Sequence, residues 1–346
     1  WMSNAAATAL SLPIAATVAV SVGDRRFGAA LVLAIAYGAS VGGIGTPVGT
    51  PPNLIGIQAL ARAGHEVGFL QWMGMGVPLG LVMLVAMWLV LALVFGVRPG
   101  QPLGLPHADG DGDSDRATPW SRGEVAVVGA LGFAIAGWLT PGILAVAAPA
   151  AAATAWAKTH LTEEVVALFA GCALFLVPVG TAAAPRTALT WEEAVRIDWG
   201  VILLFGAGML LGDLAGKTGL SAQWGTALVD LTGADGLWSL TALVTAASIL
   251  LSELTSNTAT ATLMVPLAIS LASAAGVAVM PPALGATLGA SFGFMLPIST
   301  APNAMAYGTG RVTVRQMARA GVAFDILGFA VIIAGLRLMA PIFGWL

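Results

Sequence analysis

The residues of this chain best suited to chemistry are uncharged oxygens and amides, and they come in pairs. Ser3-Asn4-Ala5-Ala6-Ala7-Thr8-Ala9-Leu10, followed by Pro13, returns 253 positions on as Ser256-Asn257-Thr258-Ala259-Thr260-Ala261-Thr262-Leu263, followed by Pro266. Each copy leads to a second matched segment. These are Pro47-Val48-Gly49-Thr50-Pro51-Pro52-Asn53 and Pro297-Ile298-Ser299-Thr300-Ala301-Pro302-Asn303, with Pro, Thr, Pro and Asn in the same places. All four interrupt apolar stretches with polar, helix-breaking residues. Matched interruptions in the two halves of a membrane chain point to the binding site of a secondary transporter.

A helix that begins inside a bilayer presents unpaired N–H groups and the positive end of its dipole. Hydrocarbon tolerates such groups only where they are buried in protein or line a wet cavity. Ser and Asn satisfy some of these donors as caps and leave other polar groups facing outward. Two tips, Ser3-Asn4 and Ser256-Asn257, therefore suit the two ends of an elongated dianion. The breaks at Gly49-Thr50 and Ser299-Thr300 do the complementary work. Proline removes donors and enforces extended backbone, which leaves carbonyl oxygens without helical partners. Those carbonyls, with Asn and Ser oxygens, make a neutral cage of hard ligands that suits Na⁺. No Arg or Lys is aimed at the centre of either block, so a bound cation is the expected compensator for a dianion. Each motif alone is weak, because Ser and Asn cap helices everywhere and Pro marks kinks. Their recurrence in the same order carries the reading.

The elements that must hold these motifs are membrane helices. The chain is 58% hydrophobic and 9% charged, with a mean hydropathy of +0.90, whereas a soluble domain carries about 25% charged residues. The runs Gly74–Val97, Val125–Leu139, Val165–Val179, Val201–Leu214 and Gly321–Leu346 approach the ~20 apolar residues that a ~30 Å hydrocarbon core requires. An all-α polytopic membrane protein is predicted. The net charge of −3 and the lack of a dense basic patch exclude a nucleic-acid partner. A single cysteine, Cys172, excludes an internal disulfide or a cysteine metal site, and it is expected as a small buried hydrophobe. His65, His107 and His160 lack metal-ligand spacing. Residue 1 is Trp, and Leu237–Leu251 has no counterpart ahead of the first tip. The chain is therefore expected to lack native N-terminal helices, and the absence of a signal peptide carries no weight.

Helices are predicted over Ala6–Val22 and Phe27–Val41, the second broken by a loop at Gly42–Pro52 and resumed over Asn53–Arg62. Ala63–Trp72 is expected at the interface, with Trp72 as a surface anchor. Arg98–Arg122 holds Asp109-Gly110-Asp111-Gly112-Asp113. It reads as a solvated linker rather than a calcium loop, since no bidentate Glu follows. Thr190–Asp198 is expected as an interfacial amphipathic helix, followed by a helix over Trp199–Leu214 and a polar bend over Gly216–Asp235. With both motifs turning back inside the membrane, ten Arg residues from Arg25 to Arg319 fall on one side, against Arg62, Lys158 and Lys217. That asymmetry makes the linker cytoplasmic. Gly285, Gly289 and Gly293 are most simply a close-packed helix face. Glu253, Asp213, Asp325 and Arg337 are intramembrane charges, of which Glu253, beside the second tip, is the first choice for a coupling role.

Trp1-Met2-Ser3-Asn4, Gly43 through Asn53, Trp199-Gly200-Val201-Ile202-Leu203-Leu204-Phe205-Gly206, Ser256-Asn257-Thr258 and Met295 through Asn303 resemble the divalent anion:sodium symporter family. The resemblance spans essentially the whole chain. It implies inverted repeats with two re-entrant hairpins and two broken transmembrane helices. It also implies a homodimer in the bilayer, each protomer having a scaffold and a mobile transport domain that works as an elevator. Residues 1–97 and 236–346 would be the two halves of the transport domain, 98–122 the acidic linker and 123–235 the scaffold. Ser3, Asn4 and the Gly49 carbonyl would hold one Na⁺. Asn257, the Ser299 carbonyl, Ser252 and Thr255 would hold the other. Asn4, Thr50, Asn257, Thr258 and Thr300 would face the anion, a C4 dicarboxylate first, with citrate or sulfate as alternatives. A multi-pass protein of a bacterial inner membrane follows. The nearest rival is a proton-coupled or exchange-type oxyanion transporter of the same superfamily. An enzyme is not expected, since the chain has no His-Glu-x-x-His, paired-Asp or Ser–His constellation in its helices. Two departures stand out: Ala5 replaces the Thr of the first Ser-Asn-Thr, and Ala301 replaces the first Pro of the second Pro-Pro-Asn.

Overall fold

The structure, a computed structural model, describes residues 1–97, 120–180, 185–197, 199–200 and 236–346, with scattered positions between 201 and 235. Its named helices are α1 (Asn4–Val22), α2 (Arg25–Gly43), α3 (Pro51–Arg62), α4 (Phe69–Phe95), α5 (Arg122–Ala147), α6 (Ala152–His160), α7 (Glu163–Leu174) and α8 (Trp191–Ala194). After them come α9 (Leu237–Leu254), α10 (Asn257–Ala274), α11 (Met280–Ala290), α12 (Ala301–Gly308) and α13 (Val314–Phe343). Seven of these, α1, α2, α4, α5, α9, α10 and α13, are long and apolar enough to cross a membrane. Among the described residues the only extended pairing is a single bridge between Pro178 and Thr187. The chain is an all-α, multi-pass membrane protein. It forms two compact units: Trp1–Val67 with Trp72–Pro106 and Gly200–Leu346, and Gly68–Gln71 with His107–Trp199.

Local chemistry explains the helix ends in the first unit. The Ser3 hydroxyl accepts from Ala6 N at 3.2 Å, and Ser256 accepts from Ala259 N at 3.1 Å, so both tips are true N-caps. Gly23, at φ 72°, ends α1 in the left-handed conformation, and the Asp24 carboxylate starts α2 by accepting from Arg26 N at 2.8 Å. Prolines fill the first turns of α3 and α12, where a missing N–H costs nothing.

The order tip helix, following helix, short broken helix, long helix occurs twice, as α1–α4 and as α10–α13. The two runs pack in a crossed pattern. The short helix α3 lies against α10 and α11, and its counterpart α12 lies against α1 and α2. The tip helices also pack on their own successors, α1 on α2 and α10 on α11. Each half thus supplies the surroundings of the other's break. Small residues permit the close approaches. A Cβ on Gly56 of α3 would run into the Thr287 side chain of α11. On Gly289 it would lie 2.8 Å from the Thr245 carbonyl of α9. Gly285, Gly289 and Gly293 all face α9 or the residues after it, as a close-packed glycine face requires. On the other side of α4 and α13, Leu81, Val85, Trp88, Leu93, Ile326 and Leu338 are exposed, which is the apolar surface that lipid covers.

Several expectations are corrected. Trp72 is no surface anchor: it is fully buried, and its indole N–H donates to the Ile44 carbonyl at 2.9 Å, so it braces the first break from within α4. Cys172 is exposed rather than buried. The apolar run from Val165 ends as a helix at Leu174, before the bridge at Pro178. Thr190–Asp198 yields one helical turn, Trp191–Ala194, capped by Thr190 and Glu193. The linker around Asp109–Asp113, most of Trp199–Leu214, Asp213 and much of Gly216–Asp235 lie outside the described residues.

Candidate functional site

The first break is the turn between α2 and α3. Asn53, fully buried at the start of α3, donates both amide hydrogens backward, to the carbonyls of Gly43 (2.9 Å) and Thr46 (2.8 Å). The Gly43 carbonyl, at the end of α2, would otherwise be orphaned, whereas the Thr46 carbonyl also accepts from Gly49 N at 3.2 Å. Gly49 folds directly onto Gly43, leaving no room for a side chain at either position: a Cβ on Gly49 meets the Gly43 carbonyl, and one on Gly43 meets the Asn4 amide oxygen. The Asn4 amide in turn reaches the Thr50 hydroxyl at 3.5 Å. The structure therefore brings Asn4, Gly49 and Thr50 together around Gly43. Ser3 is exposed, and its hydroxyl serves as the cap of α1.

The second break, between α11 and α12, repeats the arrangement. Asn303, also fully buried, donates to the carbonyls of Gly293 (2.8 Å) and Leu296 (3.0 Å), the same ten- and seven-residue offsets that Asn53 uses. Ser252 Oγ lies 2.8 Å from Asn257 Oδ1 and 2.8 Å from the Ala290 carbonyl, tying the second tip to the end of α11. Gly293 sits between Ser252 and Ser299, where a Cβ would lie 3.1 Å from the Ser252 carbonyl and 3.2 Å from the Ser299 Cβ. Ser252, Asn257 and Ser299 are thus neighbours. Thr255 bonds the Thr260 hydroxyl at 2.8 Å and braces the tip helix. Thr258 is half-buried beside Asn257.

The halves differ in detail. Thr50 meets the tip amide, whereas Thr300 caps its own helix by accepting from Asn303 N at 3.2 Å. Ser299 replaces Gly49, and its hydroxyl donates to the Glu253 carboxylate at 2.7 Å. Glu253 also accepts from Met295 N at 2.8 Å, so it fastens the second break to α9. Reading the sequence singled out the Asn of each Pro-Asn pair as part of a motif without giving it a role. The signal that would have done so is the shared spacing back to Gly43 and Gly293.

Asn4 Oδ1, Thr46 Oγ1 and Asn53 Oδ1 are buried in the first half without a hydrogen-bond partner, and Asn303 Oδ1 is so in the second. An unmet buried acceptor costs about 1–3 kcal/mol. Oxygens in that condition, beside helix-free carbonyls, fit a cation better than they fit any neighbouring side chain.

Two helix tips, each set beside an unwound proline-asparagine break, give the two halves of this helical membrane protein the same layout. The chain is a member of the sodium:sulfate symporter family, whose transmembrane region it matches over residues 1–346; this is the divalent anion:sodium symporter group. It is 29% identical to the sodium-dependent dicarboxylate transporter SdcS of Staphylococcus saprophyticus and 30% identical to SdcS of Staphylococcus aureus. Both alignments cover 99% of this chain and 66% of the relative, so the chain spans just under two thirds of the length of these curated relatives.

Proposed function

We propose that this protein is a Na⁺-coupled transporter of a divalent anion, with a C4 dicarboxylate as its preferred substrate. The observation that carries the reading is the doubled arrangement of tip and break, lined with neutral oxygens. The names of the relatives, sodium-dependent dicarboxylate transporters, agree with it. In this reading one Na⁺ is held by Ser3, Asn4 and the Gly49 carbonyl. The other is held by Asn257, the Ser299 carbonyl, Ser252 and Thr255. Asn4, Thr50, Asn257, Thr258 and Thr300 face the anion. The helix pairs at the tips are re-entrant hairpins, and residues 1–97 and 236–346 move as a transport domain against a scaffold of 123–235, in a homodimer. The 98–122 segment is the cytoplasmic linker. The protein works as a carrier in a bacterial inner membrane, not as an enzyme.

The deciding experiment is counterflow of labelled succinate, citrate and sulfate into liposomes with and without Na⁺. Succinate uptake that needs Na⁺ is the expected result. Uptake driven by a pH gradient and indifferent to Na⁺ would instead establish the proton-coupled alternative.

Two further results are expected. Gly43→Ala drives a methyl group into the Asn4 amide, so it should weaken Na⁺ dependence while leaving the helices folded. Na⁺ titration of uptake, set beside circular dichroism, reads both. Ala5→Thr restores a hydroxyl at the first tip and should tighten binding of a symmetric dicarboxylate by about 0.5–1.5 kcal/mol, the net value of one hydrogen bond. Sulfate, reaching only the second tip, should be nearly indifferent. Equal responses of both anions in competition assays would mean that Ala5 does not face the substrate.

A further inference from the structure

Two turns from different halves of the repeat carry arginines that the proposed sites do not use. The turn from α1 into α2 is Gly23-Asp24-Arg25-Arg26, and the passage from α12 into α13 holds Arg311 and Arg315. They meet because α12 packs on both α1 and α2. Gly28, buried one turn into α2, permits the close approach. A Cβ there would lie 3.6 Å from Arg311 Nη1 and 3.2 Å from the Ala19 side chain. Arg25 stands three residues before Gly28 and is its neighbour on the helix surface. Arg25 and Arg311 therefore share one face.

These charges are poorly neutralised. Arg25, Arg26 and Arg315 are exposed, and Arg311 is half-buried. Among the described residues the one ion pair joins Arg186 to Glu193. The acid of the two turns, Asp24, is turned onto the backbone, accepting from Arg26 N at 2.8 Å and Phe27 N at 3.4 Å. It offsets one of the four positive charges at most. Beside the arginines the surface is apolar: Val20 of α1 is 64% exposed, Tyr307 of α12 44% and Val314 of α13 43%. Because α1, α2 and α13 are each long and apolar enough to cross a membrane, their linked ends lie where hydrocarbon gives way to headgroups. A soluble anion would use the arginines alone. A phospholipid uses both parts, its phosphate on the guanidinium groups and its acyl chains along the exposed apolar side chains.

We propose that Arg25, Arg26, Arg311 and Arg315 form a docking site for an anionic phospholipid. The site lies on the side that the excess of arginine marks as cytoplasmic, where the leaflet surface is negative. It goes beyond the transport reading and needs neither Na⁺ site. Each arginine held close to such a surface strengthens the attachment by up to about fivefold.

The test uses the full chain reconstituted in phosphatidylcholine bilayers with a trace of spin-labelled phosphatidylglycerol or spin-labelled phosphatidylcholine. Electron spin resonance reads the fraction of each label slowed at the protein surface. Wild type should retain the anionic label in preference, and concentrated potassium chloride should weaken that preference. Arg25→Gln combined with Arg311→Gln should reduce it by up to about fivefold for each arginine removed, whereas Arg25→Lys with Arg311→Lys should keep most of it. Arg62→Gln, at the exposed end of α3, should leave it unchanged. Equal retention of both lipids by wild type, or as large a loss in Arg62→Gln as in the double glutamine variant, would overturn the proposal. Displacement of the label by inorganic phosphate, beyond the effect of potassium chloride at equal ionic strength, would make this a site for soluble anions and overturn the lipid. If the double glutamine variant does not fold, Arg26→Gln with Arg315→Gln, both exposed, takes its place, and an unchanged preference there sinks the proposal.

Discussion

Asn257→Ala should abolish Na⁺-driven uptake while the protein folds almost as before. Asn257 Oδ1 meets the Ser252 hydroxyl at 2.8 Å, but that hydroxyl also lies 2.8 Å from the Ala290 carbonyl, so Ser252 keeps a partner when the amide is lost. The structural cost is therefore small. The functional cost is not, because the same amide is assigned to both the cation and the anion. Losing such a contact costs about 1–3 kcal/mol, or roughly five- to 150-fold in affinity, and here two ligands are affected together. Uptake of labelled succinate over a range of Na⁺ concentrations is the measurement. A mutant with unchanged Na⁺ dependence would remove Asn257 from the site.

The opposite outcome, a large loss of stability, is expected at Asn53 and Asn303. Asn→Asp at either position keeps the shape of the side chain but places an acceptor oxygen against two carbonyl oxygens now held at 2.8–3.0 Å. At each break one carbonyl, Gly43 or Gly293, is left without a donor, while the Thr46 and Leu296 carbonyls keep the N–H of Gly49 and Ser299. The orphan costs roughly 1–3 kcal/mol, before any repulsion is counted. Thermal unfolding in detergent should show both variants melting well below Asn257→Ala. Melting at the parent temperature would mean that the breaks are held by something other than these amides.

The parts of the site legible in the sequence were those encoded by residue type and local order. Ser at an N-cap, Pro in a first turn and Asn after Pro announce helix ends wherever they occur, and their doubling along the chain exposed the repeat. What stayed hidden depends on contacts between distant segments. Trp72 reads as an interfacial anchor because tryptophan beside a polar loop usually is one. Only the folded chain shows its indole turned inward to Ile44. Cys172 lies in an apolar run whose outward or inward face no short pattern fixes. Asp325 stands alone among apolar residues, and nothing within helical reach along the chain names Glu253, 72 positions away, as its partner.

The crossed packing of the repeats also bears on how the protein is made. The surfaces that enclose α3 belong to α10 and α11, and those residues are translated some two hundred positions later. At the usual rate of about 5–20 residues per second, the first half waits on the order of ten to forty seconds for them. During that interval the turn has Asn4 of α1 and Trp72 of α4 beside it, but α3 lacks the two helices that enclose it and must be sheltered by the insertion machinery or by water. Biogenesis, more than the finished fold, is where substitutions in the first break should be least forgiven.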